Sequence, residues 1–138
     1  MAERPAAGSP DGPSRGQLVG WTLLAWLAGL GAVPFTSAAA TMLSQGLGLP
    51  ETPVGTLALA LVCALVAWVA GRVGTAPRHR ILVGAGFVPL VHLINVVFFG
   101  VLLPLTIILG QMLVGFIGAA TVVVLGERRA RLRDAGGA

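Results

Sequence analysis

The sequence predicts an all-α membrane protein, a bundle of four transmembrane helices, and three observations carry that reading. Apolar residues make up 56% of the chain, against roughly 45–50% in soluble domains. Charged residues make up only 10%, and they gather into short stretches. The uncharged windows between those stretches are long enough for the ~20 apolar residues that a helix needs to cross a bilayer. With 138 residues and a mean hydropathy of +0.91, the chain is one domain's worth of material whose apolar excess must face lipid.

Residues 1–17 form a separate unit. Pro5, Pro10 and Pro13 alternate with Gly, Ser and mixed charges, too little apolar surface to fold, so a disordered cytoplasmic tail is expected there. The transmembrane domain, 18–126, follows. Its first helix covers about 18–40, with Pro34 expected to kink the outer half by removing a backbone donor. The second covers about 54–71, short but sufficient if nearly upright. Arg72, Arg78, His79 and Arg80 then interrupt the apolar pattern. The next uncharged stretch, Ile81 to Gly126, holds 46 residues and would make a helix of ~69 Å. It must turn back, and Gly100 with Pro104 marks the place, because Gly ends helices and Pro suits a first turn. The third and fourth helices therefore cover about 81–99 and 104–126. A basic cytoplasmic tail, 127–138, closes the chain.

The arginines give the orientation. Two precede the first helix, three lie between the second and third, and four follow the fourth. The two connections on the other side carry none, and Glu51 is the sole charge there. The positive-inside rule then places both termini in the cytoplasm of a cell membrane crossed by an even number of helices. Trp21 and Trp68 fall near the inner helix ends, where interfacial tryptophans gather. A competing reading makes residues 1–40 a secretory signal ending in the small residues Ser37 to Ala40. The apolar stretch exceeds the usual 7–15 residues, and three remaining spans would break the arginine pattern.

The net charge of +4 is explained by membrane orientation. Nucleic acid is not an expected partner, since no aromatic residues interleave with the arginines. Cys63 is the only cysteine, so no intrachain disulfide forms, and its apolar surroundings make it a small core residue. No catalytic constellation, metal-ligand cluster, phosphate loop or cofactor motif is present, so the chain reads as a non-enzyme without cofactors. No Asp, Glu, Lys or Arg falls inside a predicted span, which excludes the simplest proton-coupled designs.

The intramembrane polar candidates are His92, Asn95, Gln111 and Thr106. His92 and Asn95 lie three apart and share a helix face, with His92 ~16 Å from the start of the third helix. Gln111 lies ~10 Å past the outer turn, at the depth of Asn95, so an Asn95 to Gln111 hydrogen bond is expected. Such groups either glue helices together or line a solute pathway. Small residues spaced by four mark close helix packing: Ala25 and Gly29, Ala60 and Ala64, Ala67 and Gly71, Gly115 and Ala119. Gly29, Ala64 and Gly115 are the central candidates.

Three fragments, Gly29 to Val33, Pro53 to Leu57 and Arg80 to Phe87, together resemble the small bacterial fluoride channels of the CrcB or Fluc family. Gly29-Leu30-Gly31-Ala32-Val33 is similar to the family's Gly-rich first helix, and Pro53-Val54-Gly55-Thr56-Leu57 to the opening of its second. Arg80-Ile81-Leu82-Val83-Gly84-Ala85-Gly86-Phe87 resembles the Arg-x-Leu-x-Gly-x-Gly-Phe that opens its third. The resemblance implies a four-helix ion channel, commonly an antiparallel dimer. The family's pore residues are not matched: Ala60 stands in place of a pore asparagine, Phe35 in place of an arginine, and His92-Leu93-Ile94-Asn95-Val96-Val97 in place of a Thr- and Phe-rich run.

The expected function is that of an ion or small-solute channel or transporter, or a transporter subunit. The lipid bilayer and a second copy or heteromeric membrane partner are the expected partners, because four short helices bury little surface. The alternatives are a non-transporting assembly subunit, a carrier of lipid-linked sugars of the GtrA-like kind, and half of a drug or metabolite exporter.

Overall fold

A computed structural model describes residues 13–73 and 75–136. Four helices follow one another: α1 (Arg15–Leu47), α2 (Glu51–Ala70), α3 (Pro77–Phe99) and α4 (Leu105–Gly136), with a short 3-10 turn, Gly71–Val73, after α2. Each is long and apolar enough to cross a membrane. The chain is a small multi-pass integral membrane protein, helical throughout and without strands among the described residues.

Every helix is longer than the apolar run that announces it, and local backbone and side-chain chemistry at the ends accounts for the extensions. The expected disordered tail falls mostly on residues 1–12, outside the described residues. Its last part is corrected: Ser14 caps α1, its hydroxyl accepting from the Gln17 amide while the Gln17 side chain accepts from the Ser14 amide. This reciprocal capping box satisfies two donors left free at a helix start. At the other end α1 runs past Ala40 to Leu47, where Gly48 takes a left-handed φ of 64°. Its amide and that of Leu49 both bond to Ser44 O, and the Ser44 hydroxyl donates to Leu49 O. Pro34 lies inside α1 without ending it.

α2 starts at Glu51, three residues before its apolar run. A carboxylate suits the positive end of a helix, and Pro53 is tolerated in a first turn whose amides have no helical partner. α3 opens on Pro77 at its first position, so Arg78, His79 and Arg80 are helical and not loop residues. Gly100 ends α3 with φ 64°, and Pro104 O accepts from the Ile107 and Ile108 amides at the start of α4. The largest difference is the basic tail. α4 continues ten residues beyond Gly126 to Gly136, because Glu, Arg, Ala and Leu are strong helix formers whatever their charge.

Side-chain pairs give the direction of each helix. Thr22 meets His79, the Trp26 indole donates to Val83 O at 3.0 Å, and Gly29 abuts Phe87. The two numbers rise together, so α1 and α3 are parallel. Between α3 and α4 the pairs are Gly84 with Ala119 and Val88 with Gly115, which are antiparallel. The course is up-down-up-down, and the arginines of α1, α3 and α4 all lie at one end, called here the arginine end. The opposite, hairpin end holds the 48–50 and 100–104 connections.

α2 packs against all three other helices, while α1 touches α3 lightly and α4 scarcely. The core is narrow: Ala25, Val62, Cys63, Val66, Phe87 and Val88 form its centre, with Ala67, Ala119 and Val123 beside it. Large apolar side chains cover the outside; Phe35, Phe98 and Leu102 are each more than 75% exposed. In lipid that surface is matched to its solvent, and the helices are held by close packing and by polar contacts. Trp26→Phe keeps an aromatic ring and removes the hydrogen bond to Val83 O together with part of the indole's packing against the core. We expect a loss of about 1 kcal/mol, read as an earlier unfolding midpoint in a mixed-micelle SDS titration.

Candidate functional site

Small residues set how closely the helices approach. A Cβ placed on Gly29 would stand 2.6 Å from both Phe87 Cε2 and Val66 Cγ2, and one on Gly115 would stand 2.7 Å from Val88 Cγ2 and 3.0 Å from Cys63 Sγ. One on Gly84 would meet Ala119 Cβ at 2.8 Å. Ala64 is different: it is only half-buried and lies outside the core, while its neighbour one turn away, Ala60, presents its backbone to Gly118.

These contacts fall on stripes of residues four apart, which share one helix face. On α1 the stripe reads Ala25, Gly29, Val33, Ser37. On α3 it reads Gly84, Val88, His92, and on α4 Gln111, Gly115, Ala119, Val123. Toward the arginine end the stripes carry small and apolar residues in tight contact. Toward the hairpin end each finishes on a polar residue.

There the helices diverge around a cavity of about 320 Å³, lined by Ser37, His92, Asn95 and Gln111 together with Val33, Leu59, Val88, Val91 and Leu103. His92 lies ~10 Å below the Phe99 end of α3 and Gln111 ~9 Å below the Leu105 end of α4, so both reach the same depth. Three of the four intramembrane candidates read from the sequence meet here. Thr106 does not: it is exposed on the outside of α4 and lines no part of the cavity.

The expected bond between Asn95 and Gln111 is not formed. The antiparallel pairs Gly84 with Ala119 and Val88 with Gly115 set Gln111 level with His92, about 4–5 Å along the axis from Asn95. His92 Nε2 is buried and has no hydrogen-bond partner. A buried polar atom without a partner costs about 1–3 kcal/mol, and the polar groups beside His92 around the cavity belong to Ser37, Asn95 and Gln111.

Ser37 is the lining residue that the sequence reading missed. The signal was available, because two further steps of four along the Ala25 and Gly29 stripe arrive at Ser37. Pro89 was also overlooked. It sits inside α3, one turn before His92, and its missing amide leaves Ala85 O without the usual helical donor.

The cavity is closed toward the arginine end. Phe87, Val66, Val88 and Cys63 are fully buried and fill the level just beyond it. The cavity therefore sits on the hairpin-end side of a dry, fully buried layer. Its lining offers amides, a hydroxyl and an imidazole, and no carboxylate, lysine or arginine. Among the described residues no group of three His, Cys, Asp or Glu side chains gathers to hold a metal ion. No family model, curated protein or solved structure matches the chain.

Proposed function

We propose that the protein moves a small ion or hydrogen-bonding solute across its membrane, or forms the solute-handling subunit of an assembly that does. The observation that carries this reading is the buried, unpartnered His92 Nε2 in a cavity shared with Ser37, Asn95 and Gln111. Polar groups at membrane depth are costly and tend to mark a pathway or a binding site. The volume suits a small guest, and the neutral amides and hydroxyl suit one recognised by hydrogen bonds. The resemblance of three glycine-bearing fragments to the small fluoride channels makes fluoride the first solute to try.

The dry layer below the cavity favours a site that opens to one side at a time over an open pore. It also favours the rival class, a non-transporting subunit whose polar groups only secure a partner helix. Efflux from proteoliposomes separates the two. Wild type is expected to release fluoride or another small ion faster than protein-free vesicles. His92→Ala is expected to lower that rate on the order of tenfold, the worth of one hydrogen bond of about 1.4 kcal/mol, with smaller losses for Asn95→Ala and Gln111→Ala. A silent wild type that copurifies with a larger membrane complex would replace transport with the subunit role.

A further inference from the structure

A second site lies at the arginine end, between the last turn of α2 and the extension of α4. It is a pocket of about 450 Å³ whose walls include Trp68, Val122, Leu125, Arg129 and Arg133. The apolar part and the charged part are stacked along the membrane normal. Arg129 and Arg133 lie ~6 and ~12 Å beyond Leu125 along the helix, while the headgroup region adds roughly 5–8 Å on each side of the hydrocarbon core. A phospholipid has the same order of chemistry, an acyl chain followed by a phosphate.

Two further arginines lie against residues of its wall without lining it. Arg72 stacks on the Trp68 ring, 4.1 Å from its centre. Arg80 lies across Gly71, where a Cβ would stand 2.5 Å from its Cζ, and reaches toward Gly126, itself a wall of the pocket. Its Nε is buried with no hydrogen-bond partner. The carboxylates of α4 are elsewhere: at 3.6 residues per turn Glu127 and Asp134 fall on the flank away from Arg129 and Arg133.

We propose that this pocket binds one anionic phospholipid, with its phosphate held by Arg129 and Arg133 and an acyl chain laid along Val122, Leu125 and Trp68. Guanidinium groups pair with phosphate oxygens through two parallel hydrogen bonds. Basic pockets between transmembrane helices select anionic headgroups for that reason.

The test is native mass spectrometry of the full chain released from micelles doped with equal amounts of phosphatidylglycerol and phosphatidylcholine of identical acyl chains. Retained phosphatidylglycerol is expected to exceed phosphatidylcholine by roughly fivefold for each engaged arginine. The preference should fall to near parity in Arg129→Gln/Arg133→Gln. It should persist in Arg128→Gln/Arg131→Gln, which removes the same charge from other faces of α4. Both pairs are exposed, and circular dichroism of each variant verifies that the helices remain. Equal binding of the two lipids by wild type would overturn the proposal, as would equal losses in the two double variants. Displacement of the lipid by millimolar inorganic phosphate would also overturn it, since the site would then hold a free anion and not a lipid.

Discussion

Gly118→Ala is expected to destabilise the bundle on the order of 3 kcal/mol, the upper part of the range for adding a methyl to a packed interior. The added Cβ would stand 2.5 Å from Ala60 O and 3.1 Å from Ala60 C. These are backbone atoms of α2, so no rotamer change relieves the clash, and α2 and α4 must separate. Gly110→Ala, two turns earlier on the same helix, meets nothing within 4 Å. It should be neutral or stabilising by up to about 1 kcal/mol, since alanine is the better helix former. SDS unfolding midpoints of the two variants give the comparison. Equal shifts would mean that α2 and α4 do not approach through Gly118.

The contrast between these two glycines shows how far the sequence could be read. Both lie in an apolar helix, and nothing in composition separates them. Small residues spaced by four located Gly29 and Gly115 at close approaches, yet the spacing did not single out Gly118. The close approach at Gly118 depends on where α2 and α4 cross, which no spacing on one helix contains. The same limit affected Ala64, which has the right spacing but faces partly outward.

Helix number and turn positions were legible because charge and Gly or Pro punctuation are local. Helix ends were not, for a physical reason: arginines mark where the membrane stops, whereas capping groups such as Ser14, Gly48 and Pro77 mark where the helix stops. At α4 these two boundaries lie ten residues apart. The site was legible to within about one helical turn in depth and incomplete in membership. Counting residues from the turn brought Asn95 and Gln111 to one level, whereas the pairing of α3 with α4 sets Gln111 opposite His92, a register that no count along one helix contains. Thr106 shares the helix of Gln111 but not its face, which a stripe of four could have shown.

Phe87 is the residue on which stability and the proposed pathway meet. It is fully buried and lies about one turn from His92 toward the arginine end of α3, where its ring occupies the space left by the missing side chain of Gly29. Phe87→Ala is therefore expected to cost about 3–5 kcal/mol and to extend the polar cavity through the dry layer that stops it. A small-ion leak above wild type should accompany the loss of stability in proteoliposomes containing folded protein. Gly29→Ala alone should be costly, because its Cβ would stand 2.6 Å from the same ring. In the double variant the ring is gone, and the Val66 methyl that also crowds this position is the end of a side chain that can turn. The two changes should therefore couple favourably by about 1 kcal/mol or more, as neighbours that share one volume do. Strict additivity would show that Gly29 and Phe87 do not fill a common space. A folded Phe87→Ala that leaks no faster than wild type would place the barrier elsewhere, and the cavity would then be a closed pocket and not half of a route across the membrane.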